Sequence, residues 1–333
     1  MGRMKFLKHA AVAGAAGALV LALAACGSGS GTGGGTSAAG AGGGTIVMGF
    51  AQVGAESGWR TANTKSIQES AKAAGIDLKF SDAQQKQENQ IKAIRSYIQQ
   101  KVSVIAFSPV VETGWDTVLK EAKDAGIPVI LTDRSVDSKD TSLYVTFLGS
   151  DFVKEGEKAG EWAVKEFGTT ETNVVEIQGT TGAAPAIDRK SGFESAIKAS
   201  PNIKIIASQT GDFTRAGGKQ VMEAFLKSNP KIDLVYAHND DEALGAIEAI
   251  EAAGKVPGKD IKIVSVDAVK DGMTALSEGK INFIVECNPL LGPQLMDIAK
   301  KVLNKETVEP RIVTKETTFT QDQAKTALPD RQY

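Results

Sequence analysis

The sequence predicts an α/β fold made of two doubly wound parallel-sheet lobes, and three observations carry that expectation. From Thr45 onward, short runs rich in Val, Ile and Phe alternate with longer stretches of helix-forming residues, the βαβ pattern of a parallel sheet. Several of the short runs are nearly unbroken Val and Ile, which suits strands covered on both faces. The alternation then supplies too many strands for one sheet and restarts near Asp151, so each half reads as its own doubly wound unit.

In chain order, the first half places strands at Thr45–Phe50, Leu78–Ser81, Val102–Ser108, Pro128–Asp133 and Leu143–Gly149. The second places them at Asn173–Gln178, Ile203–Ser208, Leu234–His238 and Ile261–Asp267, followed by Ile281–Glu286 and an extended piece, Arg311–Thr318. Between them, Ser66–Ala74, Gln87–Gln100, Glu155–Phe167 and Asp240–Ala253 read as helices, with Gly75, Gly126 and Gly254 as stop signals. Asp151, and one of Asp240 or Asp241, fit helix N-caps.

Ahead of this body, Arg3, Lys5 and Lys8 precede an apolar run from Ala10 to Ala25, and Leu23-Ala24-Ala25-Cys26 closes it. A cationic start, a short apolar run and small residues before a cut form a secretory signal over residues 1–25. The run is too short and too rich in Ala and Gly for a membrane span of roughly 20 apolar residues. A cysteine directly after Leu-Ala-Ala resembles the bacterial lipoprotein signal, in which the thiol is acylated and becomes the mature N-terminus. Residues 26–44 then form a Gly/Ser-rich tether with no large apolar residue to bury, spanning roughly 20–25 Å as a coil. Gly29, Gly31 and Gly34 match a dinucleotide fingerprint but follow no strand and open no helix, so they carry no meaning.

The formal charge of −2, from 38 basic and 40 acidic residues, gives no footing for nucleic acid. With Cys26 acylated, Cys287 has no intramolecular partner and reads as a small core residue. His238 is the single histidine downstream of the signal, so no histidine cluster exists for a metal. No cofactor is expected.

Open parallel sheets bind ligands at the carboxyl ends of their strands. Those ends carry Glu56-Ser57-Gly58-Trp59-Arg60, Asp133-Arg134, His238-Asn239 and Asp267. Acceptor-only carboxylates (Asp133, Asp267), donor-only guanidinium groups (Arg60, Arg134, Arg189) and the two-way amide of Asn239 match hydroxyls that both donate and accept. Trp59, in a Gly-flanked polar loop, offers a flat platform for the C–H face of a sugar. Trp115 and Trp162 fall within helical patterns and read as packing residues. Arg189, near a helix start, is weak on this evidence alone.

Seven stretches resemble the sugar-binding proteins of ABC transporters of the galactofuranose-binding type. They are Gln52–Arg60, Asp82–Gln90, Ser108–Trp115, Asp133–Ser135, Ala186–Lys190, Gly211–Arg215 and Tyr236–Asp241. The resemblance spans nearly the whole mature chain and implies a type I periplasmic binding protein fold whose hinge is crossed three times, near Leu148, Ala268 and Val313. Lobe 1 would then hold residues 45–148 and 269–313, and lobe 2 residues 149–268 and 314–333. The family's contacts would fall on Glu56, Ser57, Gly58, Trp59, Arg60, Asp133, Arg134, Arg189, Asn239 and Asp267, which raises Arg189. Cys287-Asn288-Pro289-Leu290 departs from the pattern.

The resemblance implies a monomeric, non-enzymatic solute receptor that takes a monosaccharide, galactofuranose first, and passes it to an ABC permease while lipid-anchored on the extracytoplasmic face. The alternatives are a glycosidase-like extracellular enzyme using Asp133 and Asp267, or a sensor presenting its sugar to a membrane receptor. Neighbouring arginines would depress a general acid's pKa, which argues against the enzyme. A transcription regulator of the same fold would need an N-terminal helix-turn-helix, where this chain has signal and tether.

Overall fold

The computed structural model describes residues 45–333; the signal, Cys26 and the tether lie outside the described residues. Two six-stranded sheets form, each wrapped by helices. The first comprises β1 (Val47–Gln52), β2 (Asp77–Asp82), β3 (Val104–Phe107), β4 (Val129–Thr132), β5 (Thr146–Gly149) and β11 (Arg311–Val313), in the order β11-β5-β4-β3-β1-β2. The second comprises β6 (Thr172–Gln178), β7 (Ile203–Thr210), β8 (Leu234–Ala237), β9 (Lys262–Asp267), β10 (Phe283–Glu286) and β12 (Thr318–Phe319), in the order β12-β10-β9-β8-β6-β7. Apart from the antiparallel β10–β12 pair, every pairing is parallel. Each sheet therefore repeats one doubly wound order, and each has a switch point beside its first strand, β1 or β6.

Sequence explains which strands are central. The Val-Ile-Ala-Phe of β3, Leu-Val-Tyr-Ala of β8 and Phe-Ile-Val-Glu of β10 are buried throughout, as strands with helices on both faces must be. The edges β2 and β7 alternate buried or half-buried with exposed residues and carry Lys, Ser and Gln, which suits strands with one side open to water.

The helices are α1 (Gly58–Ala73), α2 (Gln87–Gln99), α3 (Asp116–Asp124), α4 (Phe152–Phe167), α5 (Ala184–Ile197), α6 (Arg215–Ser228), α7 (Asp240–Ala252), α8 (Lys270–Ser277), α9 (Gly292–Leu303) and α10 (Gln321–Ala327). Asp151 caps α4 by accepting from the Lys154 N–H at 3.1 Å. The cap of α7 is Asn239, not Asp240 or Asp241, because its side chain accepts from the Glu242 N–H at 2.9 Å. Helices α4 and α5 meet backbone to backbone at Gly156, where a Cβ would lie 2.1 Å from the Arg189 carbonyl oxygen. That close approach sets Arg189 against α4. Trp115 packs on Phe107 and Trp162 stacks on Phe283, ring centroids 4.9 and 5.6 Å apart, so both are packing residues, Trp115 buried in the core and Trp162 half-buried against it.

The lobes divide differently from the expected residues 45–148 plus 269–313 and 149–268 plus 314–333. The segment after Asp267 does not return to lobe 1. Helix α8 packs on α7 and β10 pairs with β9, so the chain stays in lobe 2 until about Cys287 and re-enters lobe 1 at α9, which packs on α1. The crossing near Ala268 therefore moves to 287–291. The reason is register: β10 completes the second sheet beside β9, from Phe283 opposite Val264 to Glu286 opposite Asp267. The remaining crossings lie between β5 and α4 and between β11 and β12. One carboxylate gathers all three. Glu316 accepts from Ser150 Oγ in the first crossing, from the Asn288 N–H at 3.1 Å in the second and from Thr314 Oγ1 at 2.8 Å in the third.

Candidate functional site

The carboxyl ends of both sheets meet around a tight cavity of about 20 Å³. Its wall includes Glu56, Ser57, Trp59, Arg60, Asp133, Arg134, Arg189, Asn239 and Asp267, together with Phe152, Pro185, Phe213 and Cys287.

The lobe 1 wall begins where β1 turns into α1. Read from sequence, Gly58-Trp59-Arg60 belongs to a loop; in the structure it is the first helical turn, capped by Ser57 Oγ, which accepts from the Arg60 N–H at 3.1 Å. Helix geometry then aims Arg60 inward. It donates to Glu56 at 3.0 Å, to Gln52 at 3.2 Å and, through its other terminal nitrogen, lies 2.7 Å from Asp133. Burial opposes its charge, but Asp133 and Glu56 outweigh it and hold the guanidinium protonated. Asp133 also accepts from Ser108 Oγ at 2.8 Å. It leaves β4 in the left-handed region at φ 64°, a conformation that Asp tolerates better than most residues.

Arg134 is tied less fully. It reaches the Val110 carbonyl at 3.2 Å and lies 3.7 Å from both Glu56 and Asp133. Burial, then repulsion from Arg60 among other charges, lowers its pKa to about 10, so it stays charged at neutral pH. Trp59 belongs to both lobes: it lines the cavity, lies 4.7 Å beneath the Arg60 guanidinium, and donates its indole N–H to the Cys287 carbonyl at 2.7 Å.

In lobe 2, Arg189 projects from the second turn of α5. It lies 2.7 Å from Glu155 on α4 and donates to the His238 carbonyl at 2.6 Å. Burial works against its charge, and Glu155, Cys287 and Asp267 overcome that effect. Asp267 is only loosely paired with it, at 3.8 Å. Burial pushes the Asp267 carboxyl well above the usual range although Arg189 opposes this. The expectation that neighbouring arginines hold the site carboxyls down therefore fails at Asp267, where desolvation is the larger effect. Asn239 donates to the Phe213 carbonyl at 3.1 Å while capping α7.

Three buried atoms on the cavity wall lack a protein partner: Glu56 Oε2, Arg134 Nε and Asp267 Oδ2. Buried polar groups are seldom left so. Two acceptors and a donor on facing walls are what a hydroxyl-rich ligand satisfies.

The structure gathers nine of the ten sequence-derived residues at the cavity. Gly58 is not in its wall; its N–H donates instead to Asp241 Oδ2 at 2.7 Å across the cleft. Sequence reasoning passed over Phe152, Pro185, Phe213 and Cys287. Phe213 carried a signal, standing at a strand end after Gly211-Asp212, but its left-handed φ of 60° was not readable. Its ring fills the space a side chain at Gly179 would take, with a hypothetical Cβ 1.9 Å from Cζ, and faces the Arg134 guanidinium at 5.2 Å. Cys287 is buried, as expected, yet it forms part of the wall. His238, buried and 3.1 Å from Glu176, holds up the floor through its backbone and offers no side chain to the cavity.

Two α/β lobes around a polar, aromatic-lined cavity define a solute-binding protein. The chain belongs to the periplasmic binding protein domain family, whose model matches residues 48–307. It is 52% identical over 287 residues to the galactofuranose-binding protein YtfQ of Escherichia coli K12, covering 85% of this chain and 90% of that one. A Mycobacterium smegmatis protein solved in complex with β-D-fucofuranose is 66% identical, with a TM-score of 0.86, and 87% of this chain and 96% of that chain are covered. The binding protein of the arabinose ABC transporter from Shewanella sp. ANA-3, bound to α- and β-L-arabinofuranose, is 49% identical with a TM-score of 0.84, covering 86% and 96%. No helix among the described residues is long and apolar enough to cross a membrane.

Proposed function

We propose that this chain captures a furanose sugar, galactofuranose or a close analogue, between its two lobes and hands it to the permease of an ABC importer. The observation that carries this reading is the set of idle polar atoms on Glu56, Arg134 and Asp267 around one cavity. Trp59 and Phe213 line the same cavity and supply apolar faces for the sugar's C–H surface. The furanose ligands of the relatives at 49–66% identity support the ring form. Glu56, Ser57, Trp59, Arg60, Asp133, Arg134, Arg189, Asn239 and Asp267 would contact the ligand. Gly58 would serve through its cross-cleft hydrogen bond. The protein would work as a monomer on the outer face of the membrane, held by acylated Cys26, a role supported by Leu23-Ala24-Ala25-Cys26.

Isothermal titration against galactofuranose, fucofuranose, arabinofuranose and galactopyranose tests the ligand class, with the furanoses expected to bind at least ~10-fold more tightly than the pyranose. Arg134→Ala and Asp267→Asn should each weaken furanose binding by about tenfold or more, the scale of a lost charge-assisted hydrogen bond. Unchanged affinity in both would remove the site assignment. Cys26→Ser should release the protein from the membrane fraction.

A further inference from the structure

The start of α7 makes a grip on several segments that no single motif announces. Its consecutive residues Asn239, Asp240, Asp241 and Glu242 hold three backbone segments in or beside the cavity wall. Asn239 takes the Phe213 carbonyl at 3.1 Å and Glu242 takes the Phe213 N–H at 2.9 Å. Asp240 accepts from the Val269 N–H at 2.8 Å, two residues beyond Asp267. Asp241 reaches furthest. Its Oδ2 accepts from the Gly58 N–H, in the other lobe, at 2.7 Å.

Gly58 opens α1, and its amide is one of the donors that a helix start cannot satisfy internally. Ser57 caps the Arg60 N–H, so the Gly58 N–H remains for an outside acceptor. The carboxylate of Asp241 also meets the positive end of the α1 dipole. It is largely buried, and burial raises its pKa while the Gly58 N–H and Arg215 oppose that rise. The groups around it are Arg215 on α6, 3.5 Å from its other oxygen, Asp271 on α8, which pairs with Arg215 at 3.0 Å, and Asp240 on its own helix. When the lobes part, Asp241 keeps Arg215, but Gly58 loses its acceptor to water. The bond thus exists only in the closed form, and it adds to the segment carrying Trp59 and Arg60. A second cross-cleft bond, from the Glu112 N–H to the Gly182 carbonyl at 2.9 Å, is backbone on both sides and carries no charge.

We infer that Asp241 is an interlobe latch: a positioning residue that does not line the cavity but closes lobe 2 onto the N-terminus of α1 and sets how long the sugar is held. This rests on the furanose-binding reading above. A group that acts only in the closed form stabilises the liganded state, so its loss should appear in release rather than in capture.

Stopped-flow tryptophan fluorescence with galactofuranose, Trp59 being at the cavity, measures both rates on the mature chain. Asp241→Ala should speed release about tenfold and leave association nearly unchanged. Asp241→Asn, which keeps an acceptor but loses the charge, should fall between that variant and wild type. Gly58→Pro deletes the donor from the opposite lobe and sets a ring carbon against Asp241 Oδ2, at a first-turn position that accepts proline, and covers the case in which Asp241→Ala fails to fold. It should speed release at least as much, and the double variant, in which alanine leaves room for the ring, should release no faster than Asp241→Ala. A release rate unchanged in either folded variant, or rates that multiply in the double variant, would overturn the latch while sugar binding by the wild type still stood. A wild-type chain silent toward every furanose would overturn the binding reading itself and the latch with it.

Discussion

The two walls of the cavity use the same residue types and hold them differently. In lobe 1, Arg60 sits at the centre of a closed set of partners, with Glu56, Gln52 and Asp133 all within 3.2 Å. In lobe 2, Arg189 is held from behind by Glu155 and the His238 carbonyl, leaving Asp267 at 3.8 Å with one oxygen unpartnered. In the first wall the Arg60–Asp133 pair is complete before a ligand arrives, and only Glu56 Oε2 and Arg134 Nε beside it stay open. The second keeps a desolvated carboxyl in reserve for a hydroxyl to meet. On the proposed reading one carboxyl serves stability and the other recognition, although both are Asp residues at the end of a parallel strand in a positive-φ turn, at φ 64° and 125°.

The same substitution in each wall tests that division, because Asn tolerates left-handed backbone nearly as well as Asp. Asp133→Asn should have the largest effect. It strips Arg60 of its 2.7 Å anionic partner and should lower stability by about 3 kcal/mol, the scale of breaking a buried pair. Thermal melting and sugar titration should both register the loss. Asp267→Asn should weaken binding by about tenfold while leaving the melting temperature of the sugar-free chain unchanged or higher, since it removes a charge that burial disfavours. Equal destabilisation by the two variants would erase the distinction.

A smaller effect is expected with pH, and it lies beneath lobe 2 alone. Burial lowers the pKa of His238 below its ordinary 6.5, with Glu176 opposing. Burial alone would raise Glu176, but hydrogen bonds from His238, Lys190 and Ser208 hold it at about 2. In both groups the unfolded chain binds protons more readily, so the share of stability they hold falls on acidification, while the raised carboxyls of Glu155, Asp240 and Asp267 act with the opposite sign. The loss should start below about pH 6.5 through His238 and continue below about pH 4.5 through Glu176. Melting curves from pH 8 to pH 3 for wild type and His238→Gln check this: the difference between the two should shrink as the pH falls below about 6.5.

Strand-end chemistry was readable because the parallel-sheet pattern says where ligands sit, and each end carries its polar residue in sequence. What escaped was whatever depended on a partner distant in the chain. Phe213 looked like one phenylalanine among twelve until its backbone turned left-handed and its ring filled the space over Gly179. Cys287 read as core and is core, but the second hinge crossing runs through it and exposes its neighbourhood to the cavity. The crossing itself was misplaced at Ala268, since nothing local distinguishes a strand that completes the second sheet from one that starts a return to the first.

By itself, then, the sequence determined the α/β alternation, the two-sheet count, the cap at Asp151 where a small polar residue precedes a helical run, and nine of the thirteen residues that line the cavity. These are local matters of periodicity, propensity and side-chain chemistry. The tertiary structure decided which lobe owns residues 269–287, which carboxyl is closely paired and which keeps an open oxygen, and that Asp241 reaches Gly58 across 183 positions of chain. Those outcomes turn on burial and on distances between strangers in sequence. Desolvation, unlike propensity, acts only after the fold has brought its groups together.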